Sequence, residues 1–175
     1  MLIDLARIAN SGEKIIQIEV PYEPEVFSTA LGEFPLMNKT PVSLTIQNKG
    51  NQELKIAGKM SFEAVIPCSR CLTDVLTEIV LDFVKDVDMK VHASEKIEEL
   101  DEQSFMDGYS LDVDALVYGE MLVNWPVKVL CREECKGICS TCGADLNLGT
   151  CGCDSTDFDP RMAKIRDIFN KFKEV

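Results

Sequence analysis

The sequence contains one histidine, one tryptophan and no long apolar run. A membrane helix needs about 20 consecutive apolar residues, and no stretch approaches that length. The opening MLIDLARIAN is interrupted by Asp4 and Arg7 before an apolar signal segment can build up. The expectation is therefore a cytoplasmic protein with no membrane partner. The single histidine, His92, stands in an acidic stretch and reads as a solvated side chain, so an open catalytic zinc site with histidine ligands has no material here. Gly-rich phosphate loops, nucleophile elbows and paired-carboxylate motifs are also missing. These absences argue against an enzyme and against a small-molecule substrate. Positive charge is scarce too: 18 Lys and Arg stand against 30 Asp and Glu, a net charge of −12. Tight, nonspecific nucleic-acid binding draws most of its affinity from phosphate attraction, which this balance opposes.

Cysteine is what the chain has in excess. Six of its eight lie in CREECKGICSTCGADLNLGTCGC (131–153), and two in PCSRCL (67–72). In a secreted mini-protein eight thiols would suggest four disulfides, whereas in a reducing compartment the same pattern more often binds metal. Cys139-Ser-Thr-Cys142 is a short knuckle whose two thiolates can converge on one ion, and Gly143 after it permits a positive φ. Cys151-Gly-Cys153 supplies a second pair, which completes a four-thiolate set. The remaining pairs, Cys68/Cys71 and Cys131/Cys135, make a second set on grounds of loop closure, since pairs near in sequence are brought together at least cost. Cys135 joining the Cys139/Cys142 knuckle competes with that partition. A redox dithiol at Cys68-Ser-Arg-Cys71, with Arg70 favouring the thiolate, would require a thioredoxin-like βαβ context. Iron–sulfur ligation is open to any four-cysteine set, but no following ferredoxin Cys-Pro is present.

At 175 residues, 46% of them apolar, the chain can build one domain with an appendage or two small domains. IIQIEV (15–20) suits a short strand, although the first forty residues otherwise carry little pattern. PVSLTIQ, then ELKIAGKMSFEAVIP, then TDVLTEIVLDFVKDV alternate as strands, with turn chemistry at NKGN (48–51) and a bend expected at Gly58. Asp112 can cap a helix over 113–124 that presents Leu116, Val117, Glu120 and Met121 and ends at Pro126, with Trp125 as a core anchor. Asp159 and Pro160 open a second helix with an apolar stripe at Met162, Ile165, Ile168, Phe169 and Phe172. The expected class is α+β: an antiparallel β-meander core with a short helix, a C-terminal Cys-rich zinc module and a closing helix. The expected division is a β-rich core over 1–126, carrying an acidic loop at 90–108, and a Cys-rich module with its helix over 127–175.

The order of motifs resembles the YceD family, the large ribosomal RNA subunit accumulation proteins. A β-rich half ends in Pro67-Cys-Ser-Arg-Cys71, and a capped helix ends in Trp125-Pro126. Next comes C-x3-C-K-G-I-C-S-x-C-G-A-D-L-N-x3-C-x-C, and a D-P-R-M-A-K-I helix follows. Many members have Leu-Cys-Pro where this chain has Ile138-Cys139-Ser140. The resemblance implies a non-catalytic, zinc-binding factor in ribosome biogenesis that supports accumulation of the large-subunit (23S) rRNA. Its partner would be the large-subunit precursor, met through rRNA or through a ribosomal or assembly protein. For RNA contact the candidate residues are Lys128, Arg132, Lys136, Arg161, Lys164 and Lys171. The alternative is a protein-interaction adaptor with purely structural zinc and no direct RNA contact.

Overall fold

The computed structural model describes residues 1–9, 15–50, 53–89 and 105–153. In chain order the elements are β1 (Leu2–Asp4), α1 (Ala6–Ala9), β2 (Ile15–Val20), β3 (Val26–Thr29), β4 (Gly32–Met37) and β5 (Val42–Gly50). They are followed by β6 (Glu53–Pro67), β7 (Asp74–Asp88), β8 (Met106–Asp107), β9 (Ser110–Asp112) and α2 (Val113–Asn124). The long strands β6 and β7 form the spine. Leu54, Ile56, Met60, Phe62, Ala64 and Ile66 alternate along β6, and Ile79, Leu81, Phe83 and Val87 along β7. This period of two buries one face and leaves the other wet. The two strands pair antiparallel over their whole length, from Glu53↔Asp88 to Pro67↔Asp74.

On the other edge of β6, β5 pairs with the first half and β4 with the second. β2 lies outside β5 and β3 outside β4, so the path runs β2-β5-β6-β4-β3 with β7 on the far side of β6. A small second sheet, β1-β9-β8, leads directly into α2. Asp112 caps that helix: its Oδ1 accepts from the Asp114 amide at 3.0 Å and the Ala115 amide at 3.3 Å. Val113, Leu116, Val117, Glu120 and Met121 face inward. The helix ends at Trp125, whose extended backbone leads into Pro126 and whose ring packs at a tilt 4.7 Å from Phe27 and 4.9 Å from Phe34, both from the β3–β4 hairpin.

Three expectations need correcting. β5 and β6 are strands as read, but β5 continues to Gly50, and Asn48 is a buried strand residue, not a turn residue. Its Nδ2 donates to the Ile8 carbonyl at 2.8 Å, tying α1 to the sheet. At Gly58 the pairing with both neighbours continues without a register shift. The missing side chain there makes room for the Phe83 ring, which a Cβ would strike. The segment read as an acidic loop includes a strand, since Met106 is buried in β8. Residues 90–104 of that loop and the closing helix from Asp159 to Phe172 lie outside the described residues. Among the described residues the architecture is mostly antiparallel β with few helices, so the α+β expectation holds only in part. No helix among them is long and apolar enough to cross a membrane.

Candidate metal centre

The β6–β7 connection carries the first knuckle. The Cys68 amide donates to the Thr73 carbonyl at 2.8 Å and the Leu72 amide to the Cys68 carbonyl at 3.0 Å, closing a tight loop with Leu72 at φ +63°. Two bonds draw the segment after α2 alongside: Ser69 N to Val129 O at 2.8 Å, and Val129 N to Ser69 Oγ at 3.2 Å. Arg70 then fixes the next stretch. Its Nη1 donates to the Cys135 carbonyl at 2.8 Å, while its own carbonyl accepts from the Ile138 amide at 3.2 Å. Gly137, at φ +79°, lies so close that a Cβ would sit 3.1 Å from the Arg70 oxygen. As a result Cys68 and Cys135 Sγ stand 3.8 Å apart, and Cys71 and Cys131 Sγ 3.5 Å apart. All four sulfurs lie within 4.8 Å of one another. Only Cys131 is exposed.

The second cluster is built from neighbours in sequence. The Gly143 amide donates to the Cys139 carbonyl at 2.9 Å, and the Cys139 amide to the Ala144 carbonyl at 2.8 Å. Gly143 adopts φ +73°, as the knuckle requires. Cys139, Cys142, Cys151 and Cys153 converge, again with all sulfurs within 4.8 Å, but none of the four is buried. The Leu146 amide bonds the Gly137 carbonyl at 2.9 Å and Ile138 bridges Asp145, so the outer loop lies along the chain of the inner cluster.

The electrostatics repeat from one cluster to the other. In the inner one the Cys71 backbone amide, acting against burial, draws the Cys68 thiol down to about 6. Cys131 is pushed up to about 12, chiefly by the Cys71 side chain beside it and then by burial. In the outer one the Cys142 and Thr141 amides draw Cys139 down to about 6, while the Cys142 side chain and burial push Cys153 up to about 12. Sulfurs this close cannot all ionise unless a cation neutralises them. A tetrahedral ion at the Zn–S distance of about 2.3 Å places its sulfurs about 3.8 Å apart, and the inner pairs match that spacing. The donor set therefore fits a metal ion in each cluster, and either group could hold one.

The cysteines sort into the inner set Cys68, Cys71, Cys131, Cys135 and the outer set Cys139, Cys142, Cys151, Cys153; Cys135 does not stand with the Cys139 knuckle. The flanks of Cys68-Ser-Arg-Cys71 are antiparallel strands, and Arg70 is engaged with a carbonyl, so the thioredoxin-like context is not found. Lys128, Arg132 and Lys136 are exposed, with no ion pair among the described residues. Arg161, Lys164 and Lys171, like His92, lie outside the described residues. Sequence reasoning missed Asn147, whose Nδ2 donates to Cys135 Sγ at 3.4 Å. Its only signal was an amide side chain inside the cysteine run.

The fold and the two clusters define the class: a mostly antiparallel β protein with two four-cysteine groups that could each hold a metal ion. The comparisons narrow it: the chain belongs to the family described as large ribosomal RNA subunit accumulation protein YceD, which matches residues 56–169. It is also similar to an uncharacterized protein of Mycobacterium leprae, 23% identical over 129 residues, covering 73% of this chain and 59% of that one. Uncharacterized proteins of Mycobacterium bovis and Mycobacterium tuberculosis are each 24% identical over 113 residues, covering 65% of this chain and 54% of theirs. The matched stretch thus spans little more than half the length of these relatives. No solved structure matches the chain significantly.

Proposed function

We propose that this chain is a non-catalytic, zinc-binding accessory factor of ribosome biogenesis that supports accumulation of the large-subunit rRNA in the cytoplasm. The observation that carries the reading is the pair of four-sulfur clusters, each within 4.8 Å, in a chain of this family. Zinc is favoured because it takes four thiolates tetrahedrally and needs no redox partner or open position. Cys68, Cys71, Cys131 and Cys135 would hold one ion, and Cys139, Cys142, Cys151 and Cys153 the other. Each ion would supply fold energy rather than Lewis-acid chemistry. The inner ion would staple the β6–β7 turn to the segment after α2, and the outer ion would close the 139–153 loop.

A specific observation favours protein contact over direct RNA contact. The outward face of β7 carries Asp74, Glu78, Asp82, Asp86 and Asp88, all exposed, which suits a basic ribosomal or assembly protein better than a phosphate backbone. RNA contact through Lys128, Arg132 and Lys136, with Arg161, Lys164 and Lys171, is the competing reading. The test is elemental analysis with native mass spectrometry on protein purified without added metal, followed by co-sedimentation with large-subunit precursor particles across a salt series. Two zinc ions and co-sedimentation are expected. Zinc-free, fully folded protein would overturn the metal assignment, and absence from precursor particles would overturn the ribosomal one. A log–log salt slope that falls on charge reversal of the six basic residues would favour RNA.

A further inference from the structure

Asn147 lies in the loop between Cys142 and Cys151, within the outer cluster, yet its side chain serves the inner one. Oδ1 accepts from the Lys136 amide at 2.8 Å. Nδ2 donates to Asp145 Oδ1 at 2.7 Å and to Cys135 Sγ at 3.4 Å. Asp145 Oδ1 also accepts from the Asn147 amide at 2.8 Å. The carboxamide cannot be turned over, because the Lys136 N–H demands an acceptor and the Asp145 carboxylate demands a donor. An N–H placed on a thiolate stabilises its charge and orients the lone pair that a metal would use.

We infer that Asn147 is a positioning residue for the inner metal centre, delivered by the outer one, so that the two four-cysteine sites load as a coupled pair. The inference rests on the metal-binding reading above. When an ion closes the outer site, the 142–151 loop is fixed and its amide is presented to Cys135. When that ion is absent, the loop keeps only hydrogen bonds, among them Leu146 N to Gly137 O at 2.9 Å and Lys136 N to Asn147 Oδ1 at 2.8 Å, and the donor is held less firmly on Cys135. Coupling of this kind is reciprocal, so filling the inner site also strengthens the outer.

The test uses the full chain, with zinc affinity read by chelator competition and native mass spectrometry and the sulfur environment by the thiolate-to-metal charge-transfer band of the cobalt(II) form. Cys142→Ser should lose the outer ion and weaken the inner by about tenfold, at the lower end of what an outer-shell partner contributes. Asn147→Asp should leave two ions bound at saturation but weaken the inner about 10–100-fold and shift the inner charge-transfer band. Asp145→Asn combined with Asn147→Asp keeps the net charge and the hydrogen bonds within the loop with reversed polarity, but still lacks a donor for Cys135. It should behave like Asn147→Asp. Wild-type inner affinity in this double variant would mean that Asn147 only shapes its loop, and wild-type inner affinity in Cys142→Ser would mean that the sites are independent. Either result overturns the inference with the metal reading intact. A wild-type chain that binds no metal under any loading condition would overturn the metal reading itself.

Discussion

Gly58 sits buried in mid-strand, opposite Phe83 on β7. The demand on it is steric, since a Cβ would enter the space of the Phe83 ring. Gly58→Ala should therefore cost about 1–3 kcal/mol, as overpacking does, and Gly58→Ala with Phe83→Leu should recover part of that in urea denaturation. The cysteines are a second residue-scale case. The backbone amides that draw Cys139 down to about 6 and the Cys142 side chain that pushes Cys153 up to about 12 act only while the knuckle keeps its fold. Only thiolates alkylate readily. In chelated protein, where 131–153 loses the order that bound ions give it, iodoacetamide at pH 7 should therefore label Cys139 and Cys153 at similar rates by peptide mapping. Labelling of Cys139 well before Cys153 would show that the outer knuckle holds its shape without metal.

At the scale of elements, the pairing of α2 with the sheet depends on a buried charge. Glu120 is buried on the inward face of α2, and Lys85 of β7 reaches it at 2.8 Å. Lys85 is 41% exposed, so water softens the loss of its charge. Lys85→Met should still cost about 1–2 kcal/mol, because it leaves a buried carboxylate unpaired. Lys59→Met, which breaks only the exposed 3.6 Å pair with Asp82, should cost about 0–1 kcal/mol. Lys85→Met with Glu120→Leu should recover most of the loss in urea denaturation, and equal costs for the two single variants would refute the distinction. The long elements were legible because one pattern governs each of them throughout. β6 and β7 alternate over fifteen residues each, and α2 is bounded by a capping aspartate and a proline. The β3–β4 hairpin and the two- and three-residue strands β8, β9 and β1 were not legible. Strands that short hold no repeat, and their pairing is decided by partners distant in sequence, as Ile3 is by Leu111. The knuckles were readable as pairs from spacing. Spacing could not show that Arg70 and Gly137 dock the two halves of the inner cluster, since that docking passes through backbone carbonyls.

For the whole molecule the question is how far the sheet and the cysteine module depend on each other. The core is closed without metal, since the strands and α2 bury one continuous cluster from Leu5 to Val129. The 131–153 stretch buries little besides Cys135, and Ile138 and Leu148 are exposed. A segment that hides so little apolar surface takes its order from bound ions. Chelation should therefore strip hydrogen-exchange protection from 131–153 while β5, β6 and β7 keep theirs. The β6–β7 turn should be intermediate, because Cys68 is anchored in the hairpin yet loses its partners across the cluster. If the module is the contact surface for the large-subunit precursor, the same chelated sample should stay monodisperse and fail to co-sediment with precursor particles, and zinc should restore binding. Undiminished co-sedimentation, with protection in 131–153 already lost, would place the contact on the sheet instead. The acidic outward face of β7 would then be the first surface to mutate: Glu78→Lys and Asp82→Lys should abolish binding there and leave both metal ions in place.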